Sequence, residues 1–588
     1  MEDQVARRIL ICFQIFIVLA VILFLRIAYL TQGSGLAAVG QAQSTQTLKV
    51  ASNRGMIYDR NLQPLVNQGI LYRAAVMPTE QAVQTAAKVL PDRSTAILEL
   101  ARERKPFLLE FPTPYVYSKG INVFEVYKRY NDVPLAPHII GYTDGSGTNG
   151  MAGIEQAYND FLTRNEAVIE VTYMADVTGN VVEGESPRTN KSGYDVKEGI
   201  VLTLDGEIQK LVRKACQEAI FHKNTAELAE DPTERKAMEY GGVLVMDIFT
   251  GNILACASFP DFSQNDVASS LDAEGSPFIN RCFHEYNVGS PFKLAVAAAA
   301  LENGVSRYHT YTCKGYENIG GQIFYCNNLA GHGKIDMGEA VAESCNTYFI
   351  HLMQVLGPET VLRMVQAMGF GSGDSLADGI GSVSGTLPEL EQLRIMPAEA
   401  ANLSFGQGKL MATPLQLAKM VALIANGGNR VTPRLVEGFT NEDGTQFASH
   451  EPIYAANPVI SQRTAAVLQE FMIGVVEEGS GIYAMPAAGG AGGKTGSAQT
   501  GIYMIGDGDE EDTEIVHAWF TGFFPARSPK YAVVVFVESG ESGAKAAAPV
   551  FKIIADGLAE MEGLKPETDT DNKAEYPVEV EQEQQAAG

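Results

Sequence analysis

NVGSPFKLAVAAAALENG, residues 287–304 of the 588-residue chain, reads as a turn, a helix start, a buried helix and a stop. Gly289 suits the turn. Ser290 takes the N-cap position, and Pro291 fits the first helical position, where its missing N–H costs nothing. Leu294 to Leu301 is almost wholly Ala, Val and Leu, so this helix is apolar all round and belongs in the middle of a domain. Gly304 supplies the stop. Lys293 falls one turn after Ser290, on the same face. A hydroxyl at a helix N-terminus meets the positive end of the dipole and free backbone N–H groups. An amine one turn along, in apolar surroundings, has a depressed pKa and is fit to take the hydroxyl proton. The pattern is that of a serine nucleophile with a lysine base. Taken alone, a capped core helix with a chance lysine is the simpler account, since a second Ser-x-x-Lys stands at Ser542 to Lys545.

Composition narrows the classes. A chain of this length needs two or more domains. Its apolar content of 46% is enough for real cores, and its formal net charge of −26 argues against nucleic acid, which needs basic faces. Much of the acidity is local, in residues 506–514 (GDGDEEDTE) and in the tail. Seven cysteines are too few for a disulfide framework at this length. With no His-x-x-x-His and no Cys-x-x-Cys, the expectation is no metal and no cofactor; Cys313, Cys326 and His332 form the one weak cluster.

Residues 9–30 (ILICFQIFIVLAVILFLRIAYL) are an apolar run of membrane-crossing length. Arg7 and Arg8 precede it and no basic residue follows before Lys49, which puts the N-terminus (1–8) in the cytoplasm and the remainder outside. The run is read as an uncleaved anchor; the alternative is a signal peptide cut near Ala38 to Ala42. A linker is expected over 31–53, a strand-rich region over 54–239, a second domain over 240–563 and an acidic disordered tail over 564–588. Within these, the pattern predicts helix from Gln81 to Leu109, strand-like alternation from Val123 to Tyr142, and a hairpin at Gly241–Asp247 and Gly251–Ala255. Helices follow, including one from Met337 to Gln354. Strands return after Lys494, and a last helix spans Ala548 to Glu560. Strands at both ends of a helical middle predict one antiparallel sheet with helices packed on it.

A nucleophile and a base also need a proton shuttle and a substrate holder. Ser344-Cys345-Asn346, set inside the helical pattern, offers a hydroxyl relay and an amide. Gly492-Gly493-Lys494-Thr495-Gly496-Ser497-Ala498 offers close backbone approach, a positive charge and two hydroxyls fit for a carboxylate. Lys494 also lowers the pKa expected for Lys293. Ser-x-x-Lys, Ser-x-Asn and Lys-Thr-Gly occur in that order, and the decoys at Ser263 and Ser542 fall outside it.

That three-part set resembles the serine β-lactamases and penicillin-binding proteins. From the apolar run to about Gly563 the chain resembles the class B penicillin-binding proteins, the monofunctional peptidoglycan transpeptidases. Residues 54–60 (RGMIYDR), 138–142 (HIIGY), 153–158 (GIEQAY), 202–205 (LTLD), 404–408 (SFGQG) and 413–417 (TPLQL) carry the likeness beyond the three motifs. Cys345 stands at a position that varies in that family, and no small C-terminal repeats are present. There is no room for a glycosyltransferase domain before 54.

The resemblance implies an α+β fold: a penicillin-recognising domain, with a five-stranded antiparallel sheet flanked by helices, on an elongated strand-rich pedestal behind one transmembrane helix. It implies Ser290, Lys293, Ser344, Asn346 and Lys494 as catalytic residues. Thr495, Gly496 and Ser497 bind substrate, and the N–H groups of Ser290 and Ser497 form the oxyanion hole. Implied partners are stem peptides, β-lactams and a membrane-embedded glycan polymerase. A D,D-carboxypeptidase or β-lactamase would share the acyl-enzyme, and a scaffold role could coexist with catalysis; a sensor would need an output domain before the apolar run. Cys313, Cys326 and Cys345 could bridge or exchange disulfides outside the membrane, or remain buried thiols.

Overall fold

The computed structural model describes residues 2–32, 45–165, 167–176, 180–182, 186–194, 197–218, 221–222, 235–236, 238–449, 458–504, 513–540 and 542–565. Residues 33–44 of the expected linker and 566–588 of the expected tail lie outside them. The chain divides into two compact units.

The first unit comprises Met1–Gly55, Asn67–Arg129 and Thr163–Val196. Its first helix, Glu2–Gln32, holds no Gly or Pro, and Ala6–Tyr29 within it is long and apolar enough to cross a membrane, with a mean hydropathy of 2.8. The expected linker ends early. Thr45–Asn53 is a strand that buries Val50 and Ala51 and pairs antiparallel with Ala167–Met174, from Thr45 opposite Met174 to Asn53 opposite Ala167. The helix expected from Gln81 to Leu109 is two helices, Glu80–Val89 and Ser94–Arg102, followed by a strand, Phe107–Phe111. Pro106 blocks helical continuation, and Phe107, Leu109 and Phe111 point inward at period two. That strand and Ile121–Lys128 flank Gly69–Val76.

The second unit comprises Met56–Val66, Tyr130–Leu162 and Lys197–Gly588. Three stretches expected in the strand-rich region thus pack with the later part of the chain. The alternation expected through Tyr142 stops at Lys128, and Pro137–Ile140 is a short helix started by its proline. Buried Asp59 accepts from the backbone N–H groups of Asn61, Gln63 and Gly206, which ties the 54–60 segment to the start of a helix, α1 (Gly206–Glu218).

The sheet comprises β1 (Gly241–Asp247), β2 (Ile253–Phe259), β3 (Gly492–Met504), β4 (Thr513–Phe524) and β5 (Tyr531–Val537), all antiparallel in the order β2-β1-β5-β4-β3. Both faces are covered, so the inner strands are apolar throughout. Val243, Val245, Val533 and Val535 face α1 and α6 (Ala548–Met561). Leu244, Met246, Val534 and Phe536 face the helical body. There α2 (Lys293–Glu302) is buried at every residue from Lys293 to Ala300, because its alanines let neighbouring helices approach from all sides. Its neighbours include α4 (Asn346–Leu356) and α5 (Gln462–Glu477), and α3 (Met337–Ala342) precedes α4. The single helix expected from Met337 to Gln354 is therefore two.

Candidate active site

Ser290 does not cap the buried helix. Gly289, at φ 68°, makes the turn; Ser290–Phe292 form a 3-10 turn, and α2 starts at Lys293. Two contacts pin the approach. Gly289 N–H donates to Gly406 O at 2.9 Å, and the indole N–H of Trp519 donates to Asn287 O at 2.9 Å. The Ser290 hydroxyl, with no N–H to cap, is left to Lys293, whose Nζ lies 3.1 Å from Ser290 Oγ.

The break between α3 and α4 builds the second side of the site. α3 ends in a Schellman-type reversal, with Cys345 N–H donating to Ala340 O at 2.9 Å and Ser344 in the left-handed region at φ 57°. A glycine normally takes that place; a serine there costs about 1–2 kcal/mol. The strained turn aims both the carbonyl and the hydroxyl of Ser344 at Lys293 Nζ, at 2.6 and 3.1 Å. Asn346 Oδ1 lies 2.7 Å from the same nitrogen.

The four oxygens around Nζ differ in kind. Ser344 O and Asn346 Oδ1 only accept, so they take two N–H groups; a neutral amine then has its single lone pair left for one hydroxyl at a time, that of Ser290 or that of Ser344. Burial favours that neutral form. Lys293 is fully buried, and desolvation brings its pKa down to about 7, against the opposing pull of Cys345 and Cys326.

The third side is β3. Gly496 crosses so close to the Ser290 turn that a Cβ there would lie 2.5 Å from Pro291 Cδ. Thr495 Oγ1 lies 2.9 Å from Ser480 Oγ, and Ser497 Oγ accepts from Gly543 N–H at 3.2 Å. Burial weakens the fixed positive charge expected of Lys494. It is fully buried, its Nζ donates to Thr495 O at 3.3 Å, and desolvation, followed by Lys293, holds its pKa well below the usual lysine range. The repulsion expected of Lys494 on Lys293 runs the other way: burial lowers Lys293, whereas Lys494 is lowered by burial first and by Lys293 second.

Ser290, Lys293, Ser344 and Asn346 thus meet at one nitrogen, and Lys494, Thr495, Gly496 and Ser497 line the strand beside them. Cys345 is buried beneath the motif, with Cys326 Sγ at 3.7 Å from its sulfur. Sequence reading did not find Ser480 or Trp519; a Gly-Ser-Gly turn and a strand tryptophan carry no local signal of their partners.

Comparison with known proteins decides the family. The family described as "Penicillin binding protein transpeptidase domain" matches residues 241–556. The chain belongs to the class B penicillin-binding proteins. Its curated relatives include Stage V sporulation protein D of Bacillus subtilis, 28% identical, with 96% of this chain and 87% of the relative covered. The peptidoglycan D,D-transpeptidase MrdA of Acinetobacter baumannii is 26% identical, covering 85% and 80%. Among solved structures, one described as "Structural coordination of polymerization and crosslinking by a peptidoglycan synthase complex" is 25% identical, with a TM-score of 0.66 over 95% of this chain and 99% of that one. Penicillin binding protein 3 from Mycobacterium tuberculosis complexed with aztreonam shares the fold at a TM-score of 0.61, covering 89% and 98% at 23% identity. This class B penicillin-binding protein therefore has the expected α+β fold with its five-stranded antiparallel sheet.

Proposed function

We propose that this protein cross-links peptidoglycan stem peptides in cell-wall synthesis, with Ser290 as the acyl-transfer nucleophile. The observation that carries the reading is Lys293 Nζ, buried, held by two acceptor-only oxygens and within 3.1 Å of Ser290 Oγ. Lys293 takes the Ser290 proton as Oγ bonds to the carbonyl carbon of the penultimate D-alanine. The N–H groups of Ser290 and Ser497 receive the oxyanion; one such donor is worth about a hundredfold or more in rate. Ser344 passes the proton to the departing terminal D-alanine as its C–N bond breaks. The substrate's carboxylate meets Thr495 and Ser497 and gives Lys494 a counter-charge that favours its protonated form. Asn346 orients the peptide. An amine of a neighbouring stem then attacks the ester, forms the cross-link and returns the proton to Ser290 Oγ.

A β-lactam acylates the same serine. The helix Glu2–Gln32 anchors the protein with Arg7 and Arg8 on the cytoplasmic side and the catalytic unit outside. A membrane-embedded glycan polymerase is the expected partner, in keeping with the likeness to a chain from a peptidoglycan synthase complex that coordinates polymerization and crosslinking. The experiment is labelling of the full chain with fluorescent penicillin, followed by intact mass. The wild type gains one adduct on the 287–304 peptide and Ser290→Ala gains none. An adduct on folded Ser290→Ala would sink the assignment. Release of free acid alone from a stem-peptide substrate, with no cross-linked product when an amine acceptor is present, would replace transpeptidation by hydrolysis.

A further inference from the structure

Four soft ligand groups converge beside Ser-x-Asn, and each sits at the end or edge of an element. Cys313 closes the strand Tyr311–Cys313, which pairs with Gly333–Ile335, and His332 immediately precedes the second strand. Cys326 follows the strand Gln322–Tyr325, with its N–H donating to Gly315 O at 2.9 Å. Cys345 starts α4. The three sulfurs and a ring nitrogen of His332 all lie within 4.8 Å of one another. The three cysteines are buried and His332 is half-buried.

The spacing suits a tetrahedral ion. With Zn–S of about 2.3 Å and Zn–N of about 2.0–2.1 Å, the edges of the tetrahedron are about 3.8 Å between sulfurs and about 3.6 Å between sulfur and nitrogen. Cys326 Sγ stands 3.7 Å from Cys345 Sγ and 3.5 Å from His332 Nδ1. A disulfide would need the sulfurs at about 2.0 Å. Three thiols and one imidazole, with no carboxylate among them, select zinc over the oxygen-loving divalent cations. Four protein ligands close the sphere, which is the mark of a structural site.

The geometry points to a structural zinc site formed by Cys313, Cys326, His332 and Cys345, clamping the Ser-x-Asn segment to the ribbon that carries the other three ligands. Two hydrogen bonds already run between these segments: Asn327 Nδ2 to Glu343 O at 3.0 Å and Asn346 Nδ2 to Tyr325 O at 3.1 Å. The clamp matters because Cys345 lies between the two residues that supply three of the four oxygens around Lys293 Nζ. The proposal runs against the expectation of no metal, which rested on spacing along the chain; the fourth ligand lies thirteen residues beyond His332 and inside a motif read for other chemistry. A Cys326–Cys345 bridge would consume two ligands, so disulfide and zinc exclude each other.

The test uses the full untagged chain, reduced, exposed to zinc and dialysed, with metal content by elemental analysis. The expected result is one zinc per chain. Cobalt in place of zinc gives the intense visible bands of a tetrahedral thiolate site. Cys313→Ser and His332→Ala, neither of which touches Lys293, each weaken zinc binding at least about tenfold, the loss that even outer-shell partners bring. The cobalt spectrum of the wild type decides the matter should either variant misfold. A reduced wild-type chain that retains no zinc and gives no cobalt bands overturns the proposal, whether its thiols are then free or bridged. Because metal content is read without substrate, its outcome is independent of the transpeptidase assignment.

Discussion

Gly496→Ala is the sharpest test of how β3 and the Ser290 turn are fitted together. The added carbon would lie 2.5 Å from Pro291 Cδ and 3.2 Å from Trp519 Cβ. Comfortable carbon contact begins at about 3.5 Å, so the strand and the turn must part by about 1 Å. Neither side yields cheaply. Pro291 is a ring fixed next to Ser290, and Trp519 is fully buried on β4, opposite Gly496. Overpacking of this kind costs about 1–3 kcal/mol of stability, which a folded domain survives. Catalysis is less forgiving. The displacement separates Ser290 from Thr495 and Ser497, and a misplacement of about 1 Å costs about a hundredfold in rate. The assay is the second-order rate of acylation by fluorescent penicillin, with a thermal melt to show that the variant is folded. A folded Gly496→Ala that acylates within about threefold of wild type would refute the fit.

The remaining predictions concern charge. As the proposed base Lys293 would act only when neutral, and its pKa is lowered to about 7, so acylation should rise with pH through about 7 and level off above it. Asn346→Asp places a carboxylate where an amide oxygen lies 2.7 Å from Nζ; the opposite charge favours the ammonium and should move the midpoint up by about 1–3 units. An unmoved midpoint in the pH–rate profile would remove Lys293 from the role of base. Elsewhere, Lys419 is buried against Asp374 at 2.7 and 2.8 Å. Lys419→Met strands that carboxylate and should cost about 3–5 kcal/mol in denaturant unfolding, whereas pairing it with Asp374→Leu should recover most of the loss. A single variant as stable as wild type would contradict the burial argument.

Much of this protein is written locally. The apolar stretch 9–30 is by itself of membrane-crossing length, and the continuous apolar runs of β1 and β5 announce strands covered on both faces. The burial of Lys293 follows from the alanines behind it, and the burial is what lowers its pKa. The order of Ser290, Ser344 and Lys494 singled out the residues of the candidate site. Tertiary structure decided the rest, because it turns on partners far away in the chain. Ser344 interrupts a sequence that is helical by pattern; only the fourfold contact at Lys293 Nζ gives a reason for its left-handed turn. Lys494 is charged by composition and disfavoured as a cation by burial. The division into units follows packing, so stretches 56–66 and 130–162 leave the region their sequence neighbours occupy. Cys345 joined Cys313, Cys326 and His332 through strand pairing and a helix start, since local periodicity carries no record of which ends meet.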